Sequence, residues 1–323
     1  MTVAFSVNVN FLIMGWILLA TAGQFINAIV AIFDKYIVSD EKVMPKPFVY
    51  AFYSCLITGG WIVIFALGLV PGLGEYGFPT LENVQKPSIQ VVGMAFLAAY
   101  TFFFALVSMY DALKRADASN TMPIIGAVSA LSSFGLSYLF LDTTLSPNFI
   151  WGVVLLAIGT SLVAQTIPKH DVIVQVVHSG LFFALHYIAM KGLFQETSFD
   201  DGFFWSRIAF VLFTLSLLLI PAYYEKITKQ TRETTGRAGG IVLLAKILAG
   251  IASFMLLKAT DWGEVSVVQA LDGLRYVFIM LITIILADWL PKSATDHKMR
   301  PGDTMRRMLY VAVILVGFVV LFT

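Results

Sequence analysis

Runs of about twenty apolar residues, separated by short polar breaks, recur along the whole chain and dictate most of what it can become. A hydrocarbon core of about 30 Å is crossed by roughly 20 residues of helix. Such spans fall at roughly 11–37, 47–70, 89–112, 119–141, 147–167, 171–194, 202–224, 239–259, 264–290 and 305–323. The breaks carry turn chemistry: Pro45 and Pro47 open the second span, Leu145-Ser146-Pro147 opens the fifth, Pro168 closes it, and Pro291 closes the ninth. A soluble helical protein would need polar faces on most of its helices, and segments such as Phe203–Ile220 and Val311–Phe322 have none. The expected class is therefore an all-α polytopic membrane protein of about ten transmembrane helices. The longest breaks, 71–88 and 225–238, are too short for a soluble domain, so the chain reads as a single integral membrane unit.

Composition agrees: 59% of residues are hydrophobic and 13% charged, against about 45–50% and about 25% in soluble domains. The formal net charge of +1 argues against nucleic acid as a partner. The single cysteine, Cys55, makes no internal disulfide, and no Cys/His cluster suggests a metal; no cofactor is expected. Met1 to Asn10 lacks the basic stretch of a signal peptide, so the first apolar run is expected to stay as a helix.

Orientation follows from Lys and Arg in the short loops. One side collects Lys42, Lys46, Lys114, Arg115, Lys169, Lys226, Lys229, Arg232, Arg237, Lys292, Lys298, Arg300, Arg306 and Arg307; the other has Lys86, Lys191, Arg207 and Lys258. The first side is expected in the cytoplasm, with both termini outside.

The chain also echoes itself. Leu113-Lys114-Arg115-Ala116-Asp117 reappears 144 residues later as Leu257-Lys258-Ala259-Thr260-Asp261, at the junctions of spans three–four and eight–nine. Asp34-Lys35-Tyr36-Ile37 pairs with Met190-Lys191-Gly192-Leu193, at the ends of spans one and six. Each copy, 1–167 and 171–323, then has five helices. Five is odd, so the second copy is expected to lie inverted in the membrane. Inverted repeats are characteristic of secondary transporters, with the solute held near the midplane between the halves.

A family resemblance rests on three stretches: Ala112-Leu113-Lys114-Arg115-Ala116-Asp117-Ala118-Ser119 before the small-residue fourth span, Tyr138-Leu139-Phe140-Leu141-Asp142-Thr143-Thr144-Leu145-Ser146, and Trp151-Gly152-Val153-Val154-Leu155-Leu156-Ala157-Ile158-Gly159. They resemble the drug/metabolite transporter superfamily, in particular its ten-helix EamA-like branch. Family members commonly carry Leu-Gly-Glu where this chain reads Leu141-Asp142-Thr143, and often a proline inside the fourth helix, where Pro123 stands. The second half matches less well, because Asp272 and Arg275 interrupt a usually smoother ninth helix. The resemblance implies solute transport without naming a solute. Many relatives are drawn with cytoplasmic termini, opposite to the orientation that the charges here imply.

Charges at the bilayer centre cost at least about 2.5–3.5 kcal/mol each, so they face a cavity or a partner. Asp272 and Arg275 share a face of the ninth span, with Gln269 three residues earlier. They read as a polar wall of a solute site or as a structural pair locking helices. His178 and His186 on the sixth span suit proton exchange near neutral pH or packing between helices. Gln24 and Asn27 on the first span either line a cavity or join neighbours. Tyr100 on the third offers a hydroxyl. Ser129, Ser133 and Ser137 form a small-residue stripe suited to close packing, and Lys246 lies about two turns inside the eighth span.

The expected function is a secondary transporter of a small polar or amphipathic metabolite, working by alternating access, in a bacterial inner membrane. Its partners would be the small-molecule solute, a coupling proton or ion, and membrane lipids; oligomeric state is not legible. The competing class is an intramembrane enzyme acting on a lipid-linked substrate. That chemistry needs clustered carboxylates with a metal, or a nucleophile with its base. Inside the spans no close acidic pair occurs except at loop edges, such as Asp200-Asp201, and neither H-E-x-x-H nor G-x-S-x-G is present.

Overall fold

The computed structural model describes residues 2–41, 43–44, 46–116, 118–141, 146–163, 169–286 and 301–321. Expectations that fall on Lys42, Pro45, Asp117, 142–145, Pro168, Pro291, Lys292, Lys298 and Arg300 lie outside the described residues. Among those described there are helices and no strands. They are α1 (Thr2–Ser39), α2 (Pro47–Gly60), α3 (Phe65–Gly68), α4 (Ile89–Arg115), α5 (Ala118–Phe140), α6 (Pro147–Val163), α7 (His170–Glu196), α8 (Phe199–Ser216), α9 (Pro221–Glu233), α10 (Gly236–Trp262), α11 (Val265–Ala270), α12 (Asp272–Ile285) and α13 (Pro301–Val320). A 3₁₀ turn at Trp61–Ile64 joins α2 to α3 in one span. Among the described residues eight segments are long and apolar enough to cross a bilayer, and Pro147–Val163 and Leu309–Val320 are shorter apolar helices. The chain is an all-helical, multi-pass integral membrane protein.

Local chemistry explains most boundaries. Pro47 sits at the start of α2, where its missing N–H costs nothing. Ser88, Ser198 and Thr235 cap α4, α8 and α10 by accepting from the N–H three residues on. Pro123 lies inside α5, where it removes one backbone bond. The ninth span is interrupted at Leu271, between α11 and α12, immediately before Asp272.

Two expectations need correction. Residues 225–238, read as a loop, are largely the polar helix α9, which buries Ile227 and Gln230 and leaves Lys226, Lys229 and Arg232 exposed. Its pattern of isolated apolar residues among charges is helical in period but too polar to cross lipid. Arg207, counted among loop residues, lies inside α8 and is only 1% exposed.

Large apolar side chains point outward all around the bundle, among them Leu18, Leu97, Leu131, Leu139, Phe140, Trp151, Leu215 and Leu243. In water such a surface would drive association, whereas in lipid it costs nothing. Helices α6 and α13 form one closely packed pair. A Cβ on Gly159 would meet the Ile314 backbone nitrogen at 2.9 Å, and one on Gly317 the Leu156 nitrogen at 2.8 Å. Without hydrophobic drive between helices in lipid, close backbone approach of this kind supplies the attraction.

Both faces carry ties between loops. On one, Lys46 pairs with Glu233 at 3.9 Å, Arg115 with Asp171 at 3.7 Å, and the Tyr53 and Thr231 hydroxyls bond. On the other, Asp200 accepts from Thr80 N–H and from Asn83 Nδ2, at 3.1 and 2.7 Å, and Asp201 accepts from Gln85 N–H at 2.9 Å. These carboxylates strap residues 80–85 to the start of α8.

Two lysines close helix ends in matching ways. Lys35 Nζ on α1 donates to the carbonyls of Leu113 and Ala116, at the end of α4. Lys191 Nζ on α7 donates to those of Thr260, Asp261 and Gly263, at the end of α10. The last carbonyls of a helix have no partner within it and carry the negative end of its dipole, so an ammonium fits there. Glu264, beside the second clamp, has its carboxyl raised above the ordinary range by burial, with the Lys191 charge pulling the other way.

Candidate functional site

A cavity of about 120 Å³ lies at the centre of the bundle, walled by α1, α2, α4, α5, α7, α10, α11 and α12. Among the described residues, none of α6 or α13 lines it. On α1 its lining runs from Gln24 to Asp34, ten residues or about 15 Å of helix. Each end of that run holds an ion pair.

Near Gln24 stand Asp272 and Arg275. Arg275 Nη2 donates to Asp272 Oδ2 at 2.7 Å and to the Tyr276 hydroxyl at 3.0 Å. Tyr276 in turn donates to the Met122 carbonyl of α5, which ties α12 to the residue just before Pro123. The break at Leu271 sets this turn of α12 against α5. Gly126 makes room for it: a Cβ there would lie 2.5 Å from Asp272 Oδ2. Gln269 accepts from Ser129 Oγ at 2.9 Å, and Asn27 donates to Gln24 at 3.5 Å. The Gln24 amide lies beside the Asp272 carboxylate. Arg275 Nε is buried with no hydrogen-bond partner. A buried, unmatched N–H costs about 1–3 kcal/mol, and a polar group entering the cavity would recover it.

Toward the other end, Lys246 Nζ of α10 donates to Asp34 Oδ1 at 2.8 Å and to the Tyr110 hydroxyl at 2.9 Å. Tyr50 also donates to Asp34, and Lys246 lies 4.2 Å from the centre of the Tyr50 ring. Asp34 and Lys246 are both almost wholly buried, at 5% and 4% side-chain exposure. Burying two charges is worthwhile only when the geometry is good and the remaining lone pairs and protons are bonded, and here both tyrosines do that.

Of the residues singled out in the sequence, Gln24, Asn27, Gln269, Asp272 and Arg275 line this cavity together. His186, His178 and Tyr100 do not. His186 Nδ1 donates to the Ala98 carbonyl at 2.9 Å and packs on Phe102 and Phe210, joining α7 to α4. His178 bonds Ser108 Oγ at 2.8 Å and stacks on Phe182. Tyr100 is 45% exposed on the outer surface, among Phe104, Phe182 and Phe213. Sequence reasoning missed Asp34, Tyr110 and Tyr187 in the lining, and assigned Lys246 no partner. Asp34 had one usable signal: it is an acidic residue several residues before the end of an apolar span, beside a lysine.

Residues 14–165 match the family model described as the EamA-like transporter family, part of the drug/metabolite transporter superfamily. A crystal structure described only as that of a protein superposes with a TM-score of 0.62 at 18% identity. The alignment covers 95% of this chain and 97% of the other; at that identity the likeness concerns the fold alone. No curated protein matches the sequence.

Proposed function

We propose that this chain, whose residues 14–165 match the EamA-like transporter family model, is a secondary transporter of a small polar or amphipathic metabolite. It works by alternating access between two inverted five-helix repeats, 1–167 and 171–323, in a bacterial inner membrane. The observation that carries this reading is the central cavity. It is walled by helices of both halves, holds one buried and one partly buried ion pair, and contains a guanidinium N–H with no protein acceptor.

The repeat is supported by the two lysine clamps. Lys35 and Lys191 occupy corresponding places in the two halves, and two of their acceptors, Ala116 and Thr260, are the same 144 residues apart as Leu113 and Leu257. In each half the first helix therefore closes the end of the third. If the halves are inverted, the clamps act at opposite faces, one for each gate. The first helix of each half also packs on the third helix of the other, α1 on α10 and α7 on α4. Rocking of one half on the other would move these crossed pairs and open the cavity to each face in turn.

Asp272 and Arg275 neutralise each other. A solute with hydrogen-bonding or charged groups competes for them and for Gln24, Asn27 and Gln269, while Leu106, Met109, Phe102 and Phe183 offer apolar contact. Such a lining, apolar surface with converging polar groups, suits a small molecule that carries both.

The test uses purified protein: a thermal-shift screen against metabolites, then uptake of the stabilising solute into liposomes. Asp272→Asn and Arg275→Gln are expected to weaken affinity about 10–100-fold, since hydrogen bonds to charged groups contribute about 1.5–3 kcal/mol. The exchange Asp272→Arg with Arg275→Asp should not rescue binding. Comparison is restricted to variants that remain monodisperse, because each single change leaves a buried charge unpaired. Folded single variants with unchanged affinity and flux would return the pair to a purely structural role.

A further inference from the structure

We infer that the transported solute is an organic anion and that Arg207 recognises its anionic group, an inference that rests on the transporter reading of the central cavity. The ionisable groups around the cavity are unbalanced by one positive charge. Asp34 with Lys246 and Asp272 with Arg275 are two neutral pairs. Arg207 on α8 adds a guanidinium behind the lining and, among the described residues, has no carboxylate within ion-pair distance.

Its surroundings are apolar and its bonds are long. The guanidinium lies 4.5 Å from the centre of the Phe203 ring and 4.8 Å from that of Phe210. Nη1 donates to the Thr58 carbonyl at 3.3 Å, and Nε and Nη2 both reach the Ser206 hydroxyl at 3.4 Å. A guanidinium remains charged at neutral pH, so this is a buried cation without a counterion at membrane depth, an expensive arrangement.

The Phe203 and Phe210 ring faces hold the charge by cation–π attraction but supply no counterion. The Thr58 carbonyl also accepts from the Trp61 N–H, and the Ser206 hydroxyl donates to the Phe203 carbonyl. Both hydrogen-bonding neighbours stay bonded if the guanidinium is removed, and the two rings do not neutralise its charge. An anionic ligand would. Thr58 lines the cavity, and so does Phe102, whose ring packs edge-on against Phe210. Thr58 alone separates Arg207 from the solute space on one side, and the Phe102 and Phe210 rings separate it on another; a displacement of Thr58 and Phe102 against α8 during the transport cycle would uncover it. Its planar fork of N–H donors matches the two oxygens of a carboxylate.

The experiment compares three matched panels on purified protein: monocarboxylates, their primary amides, and the amines of the same carbon skeletons. Carboxylates are expected to raise the melting temperature by about 2–4 °C at several times their Kd, with no comparable shift from amides or amines. Arg207→Met should leave the ligand-free melting temperature unchanged or higher, because it replaces an unpaired buried charge with an apolar side chain of similar length, and should abolish the carboxylate shift. Arg207→Lys should keep the charge but lose the fork, weakening carboxylate affinity about tenfold. A carboxylate shift that survives in Arg207→Met overturns the assignment, as does an amide or amine that stabilises as well as its carboxylate; in either case the transporter reading stands with a different solute. If Arg207→Met does not fold, Arg207→Lys decides, and unchanged carboxylate affinity overturns the assignment. Failure of all three panels, together with an unsuccessful metabolite screen, removes both readings.

Discussion

Lys246 and Asp34 show how a single side chain is decided by its neighbours. An ammonium two turns inside an apolar helix can snorkel toward the interface, but here it turns inward to a carboxylate and two tyrosines. Breaking such a pair from one side leaves the other charge uncompensated. Asp34→Asn is therefore expected to destabilise the protein by about 3–5 kcal/mol, and the double variant Asp34→Asn with Lys246→Met to recover most of that loss. Unfolding in detergent measures both, and additive effects in the double-mutant cycle would show that the two side chains are not coupled.

At the scale of helices, glycine has two separate jobs that substitution tells apart. Gly126 of α5 leaves room for the far ends of Asp272 and Tyr276, at 2.5 and 2.9 Å from an added Cβ. Those ends can shift, so Gly126→Ala is expected to fold and to bind solute about tenfold more weakly by displacing the polar wall. Gly159 of α6 faces backbone of α13, which cannot give way locally. Gly159→Ala should lower stability by about 1–3 kcal/mol and leave affinity unchanged, since no described residue of either helix lines the cavity. Melting temperature and ligand affinity measured on both variants check the contrast; an affinity loss in Gly159→Ala at unchanged stability would mean that the α6–α13 pair acts on the site.

Over the whole molecule, the face that carries α9 and the end of α4 is the basic one. Its inter-loop pairs, Lys46 with Glu233 and Arg115 with Asp171, joined by the Lys35 clamp of α1 on the end of α4, put the loops after the first, third, fifth and seventh spans on one side. Removing Arg207 from the opposite loops makes the asymmetry larger than the loop count alone suggested. The expected topology places this face in the cytoplasm. A thiol at Thr231, introduced by Thr231→Cys into a Cys55→Ser background, should react with a membrane-impermeant reagent only after permeabilisation. Labelling of intact cells would reverse the orientation and put both termini in the cytoplasm.

The spans were legible because the bilayer makes hydropathy a local property: each residue is tested by lipid, whatever its neighbours. The same test marked Asp272, Arg275, Gln269, Gln24 and Asn27 as costly inside a span, and helical spacing placed them on shared faces. Residues 113–117 and 257–261 exposed the internal echo, and the family resemblance fell on the same first half that the family model matches. Which way a side chain faces was another matter. Lipid and protein core are about equally apolar, so lipid-facing and buried positions share one composition, and the amphipathic period that orients a soluble helix is weak. Tyr100 facing outward, His186 spent on the Ala98 carbonyl, and Asp34 meeting Lys246 from 212 residues away were therefore settled only by helix packing.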